Sequence, residues 1–196
     1  MNRISRTAGS AFTRHGDAWS EATELEPGGF RVRLGGPFRG AWLANLSCRL
    51  AKQNVSIDHV HARLSSDETW IAELHLLVAG GAATDGPLAI DYIAHAEATD
   101  ARTDPVFVVN SYRLLESRDY DGSLMLSFEA PDSLGLLGSL LTRLLLLGLV
   151  PVELHIETRG GRAYDSLWLR TTSGGCPSSD ERDAVTQVLE RSCNTE

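Results

Sequence analysis

"SLGLLGSLLTRLLLLGLVPV" occupies residues 133–152, and its reading decides the fold. At about 20 residues it is long enough to cross a bilayer. Arg143, near its middle, argues against that, because a central arginine costs roughly 2.5–3.5 kcal/mol on insertion scales. Ser139 and Thr142 add polarity, and Gly148 with Pro151 punctuates the end. Read with a break at Gly148, the stretch becomes a helix of about 14 residues closed by a C-terminal glycine, followed by a strand beginning near Val150.

An internal repeat separates the two readings. Residues 30–77 run in step with residues 123–170 at an offset of about 94 or 95. Gly40 meets Gly135, while Arg49, Leu50, Asn54 and His61 meet Arg143, Leu144, Gly148 and His155. The two offsets imply a one-residue length difference in the loop before the helix. Opposite the leucine run the first copy reads "AWLANLSCRLAKQNVS", with Asn45, Arg49, Lys52 and Gln53 on one side. Such an amphipathic helix does not span a bilayer, so its twin is expected to pack on a sheet too. The surplus apolar surface of Leu136, Leu145, Leu146 and Leu147 then asks for a second partner. The candidates are the helix of the other copy, another chain, the N-terminal segment or a loop.

Each copy has the same coarse structure. A short strand (31–34; 124–128) leads through a Gly- or Pro-bearing loop into a helix with apolar residues three and four apart, Leu43, Leu46 and Leu50 or Leu137, Leu141 and Leu144. Two longer strands follow, 56–64 with 69–77 and 150–159 with 162–170, turning at "SSDE" and "RGGR". A second helix is expected at 87–96 and at 179–191, where Ser178 or Ser179 can cap and Asp180 and Glu181 favour the positive helix end. Between the copies, "PVFVVNSYRLLES" (105–117) is β-rich and "RDYDG" offers an Asp-Gly turn, which predicts a joining hairpin.

A strand-helix-strand-strand-helix-strand order is the ferredoxin-like plan. The expected fold is therefore α+β, with two tandem ferredoxin-like βαββαβ units, antiparallel sheets and helices on one face. The units are placed at 30–118 and 119–196, after a polar N-terminal tail at 1–29. Five residues follow the last predicted helix, too few for a fourth strand. Residues 105–117 are expected to fill that place beside 124–128.

Composition narrows the function. The chain has 196 residues, 42% hydrophobic and 22% charged, as globular proteins do. Its net charge of −8, with Lys52 the only lysine, argues against nucleic acid as a direct partner. Cys48, Cys176 and Cys193 are odd in number and show no CxxC spacing, so neither a disulfide framework nor a zinc site is suggested and a reducing, cytoplasmic setting is expected. Residues 1–29 carry Arg3 and Arg6 but no apolar run, and Asp17, Glu21, Glu24 and Glu26 spoil a transit-peptide reading. They read as a poorly ordered tail with at most one short element around 18–25.

At "APDSLGLLGSLLTRLLLLGLVPVELHIETRGGRAYDSLWL" the second copy resembles an ACT domain, most closely those of the bacterial PII uridylyltransferase and of plant ACT-repeat proteins. The motifs are D-x-x-G-L-L at Asp132, Gly135, Leu136 and Leu137, then I-x-T-x-G at Ile156, Thr158 and Gly160, then Arg162 and Asp165 before an apolar strand. The first copy matches only as a pattern, keeping Gly40 but with Pro37 where the acid should stand. The resemblance implies a regulatory module whose domains pair and bind small amino acids near the loop between the first strand and first helix. A glycine there lets ligand atoms approach the backbone, and the helix N-terminus offers unpaired N–H groups to a carboxylate. The implied ligand-binding residues are Gly135 and Gly40 for close approach, Asp132 for capping or ammonium contact, and Leu134, Leu136 and Trp42 for the walls.

Other constellations carry less. His59 and His61 share a strand face with Glu73 and His75, as do Glu153, His155, Glu157, Tyr164, Ser166 and Trp168 in the second copy. Strand alternation alone produces such a polar face, so no metal site and no cofactor is expected. No G-x-S-x-G occurs, and "GGPFRG" lacks the Lys-Ser/Thr of a phosphate loop. The expectation is a stand-alone, non-enzymatic protein that senses a small amino acid and signals to a protein partner or through a homo-oligomer, away from membranes. The alternative is a ligand-free interaction module using the leucine-rich helix or a sheet edge.

Overall fold

A computed structural model describes residues 3–7, 9–26, 28–78, 86–98 and 107–193. The fold is α+β. Among the described residues ten strands form one antiparallel sheet: β1 (Arg3–Thr7), β2 (Ser10–His15), β3 (Ala18–Glu26), β4 (Gly29–Pro37), β5 (Val55–Leu64), β6 (Thr69–Val78), β7 (Ser111–Glu116), β8 (Leu124–Pro131), β9 (Leu149–Arg159) and β10 (Arg162–Thr171). Their spatial order is β1-β2-β3-β4-β6-β5-β9-β10-β8-β7. The helices are α1 (Trp42–Lys52), α2 (Tyr92–Glu97), α3 (Leu136–Leu146) and α4 (Ser179–Ser192). One buried cluster joins alternate strand residues such as Val32, Val60, Leu74, Leu126, Leu154 and Leu167 to apolar residues of all four helices. The helices therefore share one face of the sheet.

The leucine run divides as its punctuation implies. α3 has 11 residues, Gly148 adopts a left-handed φ of +75°, and β9 begins at Leu149. Among the described residues no helix is long and apolar enough to cross a membrane. The surplus apolar surface of α3 meets α1. A side chain at Gly138 would stand 2.7 Å from Cys48 Sγ and 2.9 Å from its backbone nitrogen, so glycine is what permits the approach. Leu136 is buried there, whereas Leu146 stays 59% exposed.

The same ββαββα order occurs twice, as β3-β4-α1-β5-β6-α2 and β7-β8-α3-β9-β10-α4. The two sets meet where β5 pairs with β9 and His61 stands opposite His155. β7 pairs with β8 from Ser111 opposite Glu129 to Glu116 opposite Leu124, filling the fourth-strand place as expected. Residues 105 and 106 of that segment lie outside the described residues. β3 plays the same part beside β4.

Three expectations need correction. The N-terminal residues expected to form a loose tail supply β1, β2 and β3, which extend the sheet. Small side chains, Ala11, Thr13, Ser20 and Ala22, occupy the buried positions of β2 and β3, so the alternation carries little hydrophobic signal. The helix expected over 87–96 is a 3₁₀ turn, Pro87–Ala89, followed by the short α2. Ile90 is extended, and the Asp91 carboxylate accepts from the Ala94 N–H at 3.0 Å, so the helix starts only there. Finally, the loop before the helix has equal length in both copies. Pro37 and Pro131 end the equivalent strands, and Trp42 and Leu136 begin the equivalent helices. Gly40 thus stands where Leu134 stands, and Ala41, not Gly40, matches Gly135.

Candidate functional site

The loop after β8 lies against the start of β5, where the two repeats meet on the helical side of the sheet. A recess with about 30 Å³ of enclosed space and a mouth open to solvent forms there. Asp132, Leu134, Gly135 and Leu136, four of the residues singled out by sequence, line it together. Gly135 is the N-cap of α3 at φ +87°, ψ 0°, and no side chain caps the helix. The Leu136 N–H donates to Ser133 O at 3.0 Å, and the N–H groups of Leu137 and Gly138, which line the recess, are left to present partial positive charge there.

The floor is polar, buried and short of partners. Asp165, on the core face of β10, is 2% exposed, and neither carboxylate oxygen has a hydrogen-bond partner of normal geometry. Burial pushes its pKa up to about 7; the Glu157 main chain pulls it back in part, and the charge of Asp132 adds to the rise. The carboxyl of Asp132 is itself raised, by burial first and then by Asp58. Ser47 of α1 also lines the recess, and its buried hydroxyl is unpartnered. Buried polar groups ordinarily have partners, so three orphaned oxygens around one recess mark a place built for a polar guest. Asp165 was visible in the sequence only as a motif letter; its placement beneath the loop comes from β10 pairing with β8 and β9.

The equivalent place in the first copy is aromatic in place of acidic. Phe38 occupies the position of Asp132, and Phe38 and Trp42 pack on Trp70 with ring centroids 5.8 Å and 5.4 Å apart. Gly40 lies against Val150 and Leu145 of the second copy, where an added Cβ would approach to 3.2 Å and 3.5 Å. Trp42 lines a separate, mostly apolar recess with Trp19, Arg39, Trp70 and Glu97. Of the six predicted residues, four converge on the recess beneath 132–136, and Gly40 and Trp42 lie apart in the first copy.

No protein-family model matches the chain, and no curated protein sequence does. Among solved structures it is similar to aspartate kinase from Synechocystis, at 18% identity and a TM-score of 0.49, over 85% of this chain and 27% of that one. The chain thus spans about a quarter of that enzyme's length.

Proposed function

We propose that this chain is a regulatory module built from two ACT-like units, and that the recess beneath residues 132–136 binds one small amino acid. The observation that carries this reading is the pairing of opposite polarities in one recess. Asp165 offers a buried, unpartnered carboxylate to an ammonium group, and the uncapped start of α3 offers N–H groups to a carboxylate. An α-amino acid carries both groups on adjacent atoms. Leu134 and Leu136 line the same recess, and its narrow enclosed space favours a ligand with a small side chain, the rest of which stays in the open mouth. The first copy has Ala72 where Asp165 stands and Phe38 where Asp132 stands, so its recess lacks the acids, which argues for one ligand per chain.

In this reading the protein is not an enzyme, and binding is signalled to a protein partner or a second copy of the chain. Its three cysteines are free, in keeping with a reducing cytoplasmic setting. Isothermal titration with the standard amino acids tests the proposal. One of them should bind with one-to-one stoichiometry, and Asp165→Asn should weaken it by about tenfold or more. Absence of heat and of thermal shift with every amino acid, or binding indifferent to Asp165→Asn, overturns it.

One observation favours a ligand-free interaction module instead: Leu134 and Leu146 are 48% and 59% exposed. A dimer that is indifferent to amino acids yet weakened by Leu146→Glu would support that second reading.

A further inference from the structure

We propose that the β5–β9 seam holds a divalent transition-metal ion of the Zn²⁺ class, bound by His61, His155 and Glu153. The seam brings the three together on the sheet face opposite the helices. His61 and His155 stand directly across from each other, and Glu153 lies two residues before His155, on the same side of β9. The imidazole Nε2 of His61 is 2.6 Å and that of His155 3.1 Å from the same oxygen, Glu153 Oε1. All three ligand atoms lie within 4.8 Å of one another, and among the described residues this is the only such group. The two rings stack with centroids 4.5 Å apart at 24°, and both Nε2 atoms approach the same carboxylate oxygen.

Burial gives the arrangement its chemical meaning. The Glu153 side chain is only 7% exposed although it lies on the outer face, while the imidazoles are 47% and 50% exposed. A carboxylate so covered is costly unless a cation or several donors balance it. His61 hydrogen-bonds the carboxylate at 2.6 Å, Tyr120 stands near it, Arg63 stands opposite Glu153 across the seam, and Glu73 stands opposite His61 on the far side. A metal ion would draw on two imidazole nitrogens and one carboxylate oxygen at once, and would leave its remaining positions to solvent. That donor set and count suit zinc and its late first-row neighbours and do not suit magnesium or calcium. Because the two histidines come from different repeats, the ion would also clip the halves of the sheet together. The inference is independent of the amino-acid recess, which lies on the other face.

Titration of the intact chain with Zn²⁺, followed by calorimetry and thermal unfolding, tests it. One ion per chain should bind and raise the Tm. His61→Ala and His155→Ala should each weaken binding by roughly tenfold or more, since each removes one of three ligands; both rings are exposed, so folding should persist. His59→Ala, on the same strand outside the cluster, should bind as the parent does. Ni²⁺ should quench Trp168, whose ring lies 5.6 Å from that of His155, and Trp168→Phe should remove that quenching without removing binding. Absence of Zn²⁺ binding, binding that survives the double His61→Ala, His155→Ala variant, or equal binding of Mg²⁺ overturns the proposal.

Discussion

Asp165 stands where Ala72 stands in the first repeat. Ala72 lies between Leu34 and Ala62 on its neighbouring strands, and Asp165 lies between their counterparts Phe128 and Ile156. Both positions are 2% exposed. One repeat thus places a methyl group, and the other an unpartnered carboxyl, at the same buried point. A symmetric scaffold has become one copy with an apolar, aromatic recess and one copy with a polar recess.

The pH dependence of stability should report that carboxyl. In the unfolded chain Asp165 ionises near 3.8, whereas burial raises it to about 7 in the folded one. Between those values the folded state holds the proton more tightly, so the contribution to stability is complete below pH 3.8 and is lost as pH rises through about 7. Asp165→Asn should make the protein more stable than the parent above neutrality, by at most about 4 kcal/mol, and the difference should vanish near pH 4. Urea unfolding of both proteins across pH 4–8 measures it. An amino-acid ligand whose ammonium group meets Asp165 should bind more tightly as pH rises through 7, because it needs the ionised form.

Gly138→Ala should destabilise the protein by about 1–3 kcal/mol through overpacking at the α1–α3 seam. The added Cβ meets Cys48 Sγ at 2.7 Å, Cys48 N at 2.9 Å and Cys48 Cα at 3.3 Å. Two of these are backbone atoms that cannot swing aside. Cys48→Ala on the same background should recover only part of the loss, since it removes only the sulfur. Chemical denaturation of the two single variants and the pair gives the coupling.

Much of this architecture was legible in the residues. Leu43, Leu46 and Leu50 mark a buried stripe, "RGGR" turns a hairpin at Gly160 and Gly161, and the β-rich segment before Ser117 sits beside β8. A short element around 18–25 was legible and is β3, but β2 was hidden because its inward positions are Ala11 and Thr13, whose burial reflects sheet pairing and not hydrophobicity. The equivalence of Gly40 with Gly135 failed because glycine identity outweighed loop length. In the folded chain Gly40 gives room to Val150 and Leu145, whereas Gly135 adopts a left-handed turn. Asp165 was obscured for a different reason. Alternation with Tyr164, Ser166 and Trp168 already turns it inward, but only the pairing of β10 with β8 and β9 sets it beneath the loop at 132–136.

At the left-handed turn itself, Gly135→Val should lower stability as well as binding. The φ of +87° is unfavourable for any residue with a Cβ and worst for a β-branched one. Gly135→Asn, which tolerates this region, should cost less, about 1 kcal/mol. Comparing their thermal midpoints separates the backbone requirement from any loss of ligand.

The start of α4 offers a sharper contrast. Ser178 Oγ accepts from the Glu181 N–H at 3.3 Å, and the Ser178 N–H donates to Glu181 Oε2 at 2.7 Å, forming a reciprocal cap. Ser178→Ala should therefore cost about 1 kcal/mol. Ser179→Ala, one residue inside the helix, should cost close to nothing. Equal losses in the two variants would show that the cap contributes no more than any exposed serine.

Leu146→Glu addresses whether α3 has a partner outside the chain. Leu146 ends the helix with 59% of its surface exposed, and no basic residue other than Arg143 lies in that last turn. A glutamate there meets the negative end of the helix dipole, which costs a few tenths of a kcal/mol up to about 1. The monomer should therefore stay folded, with a thermal midpoint only slightly lowered. If two chains associate through α3, each would have to bury the new carboxylate, and the association constant should fall by tenfold or more. Sedimentation at several concentrations reads that change. Calorimetry on the same variant should find amino-acid binding intact, because the recess lies at the opposite end of α3.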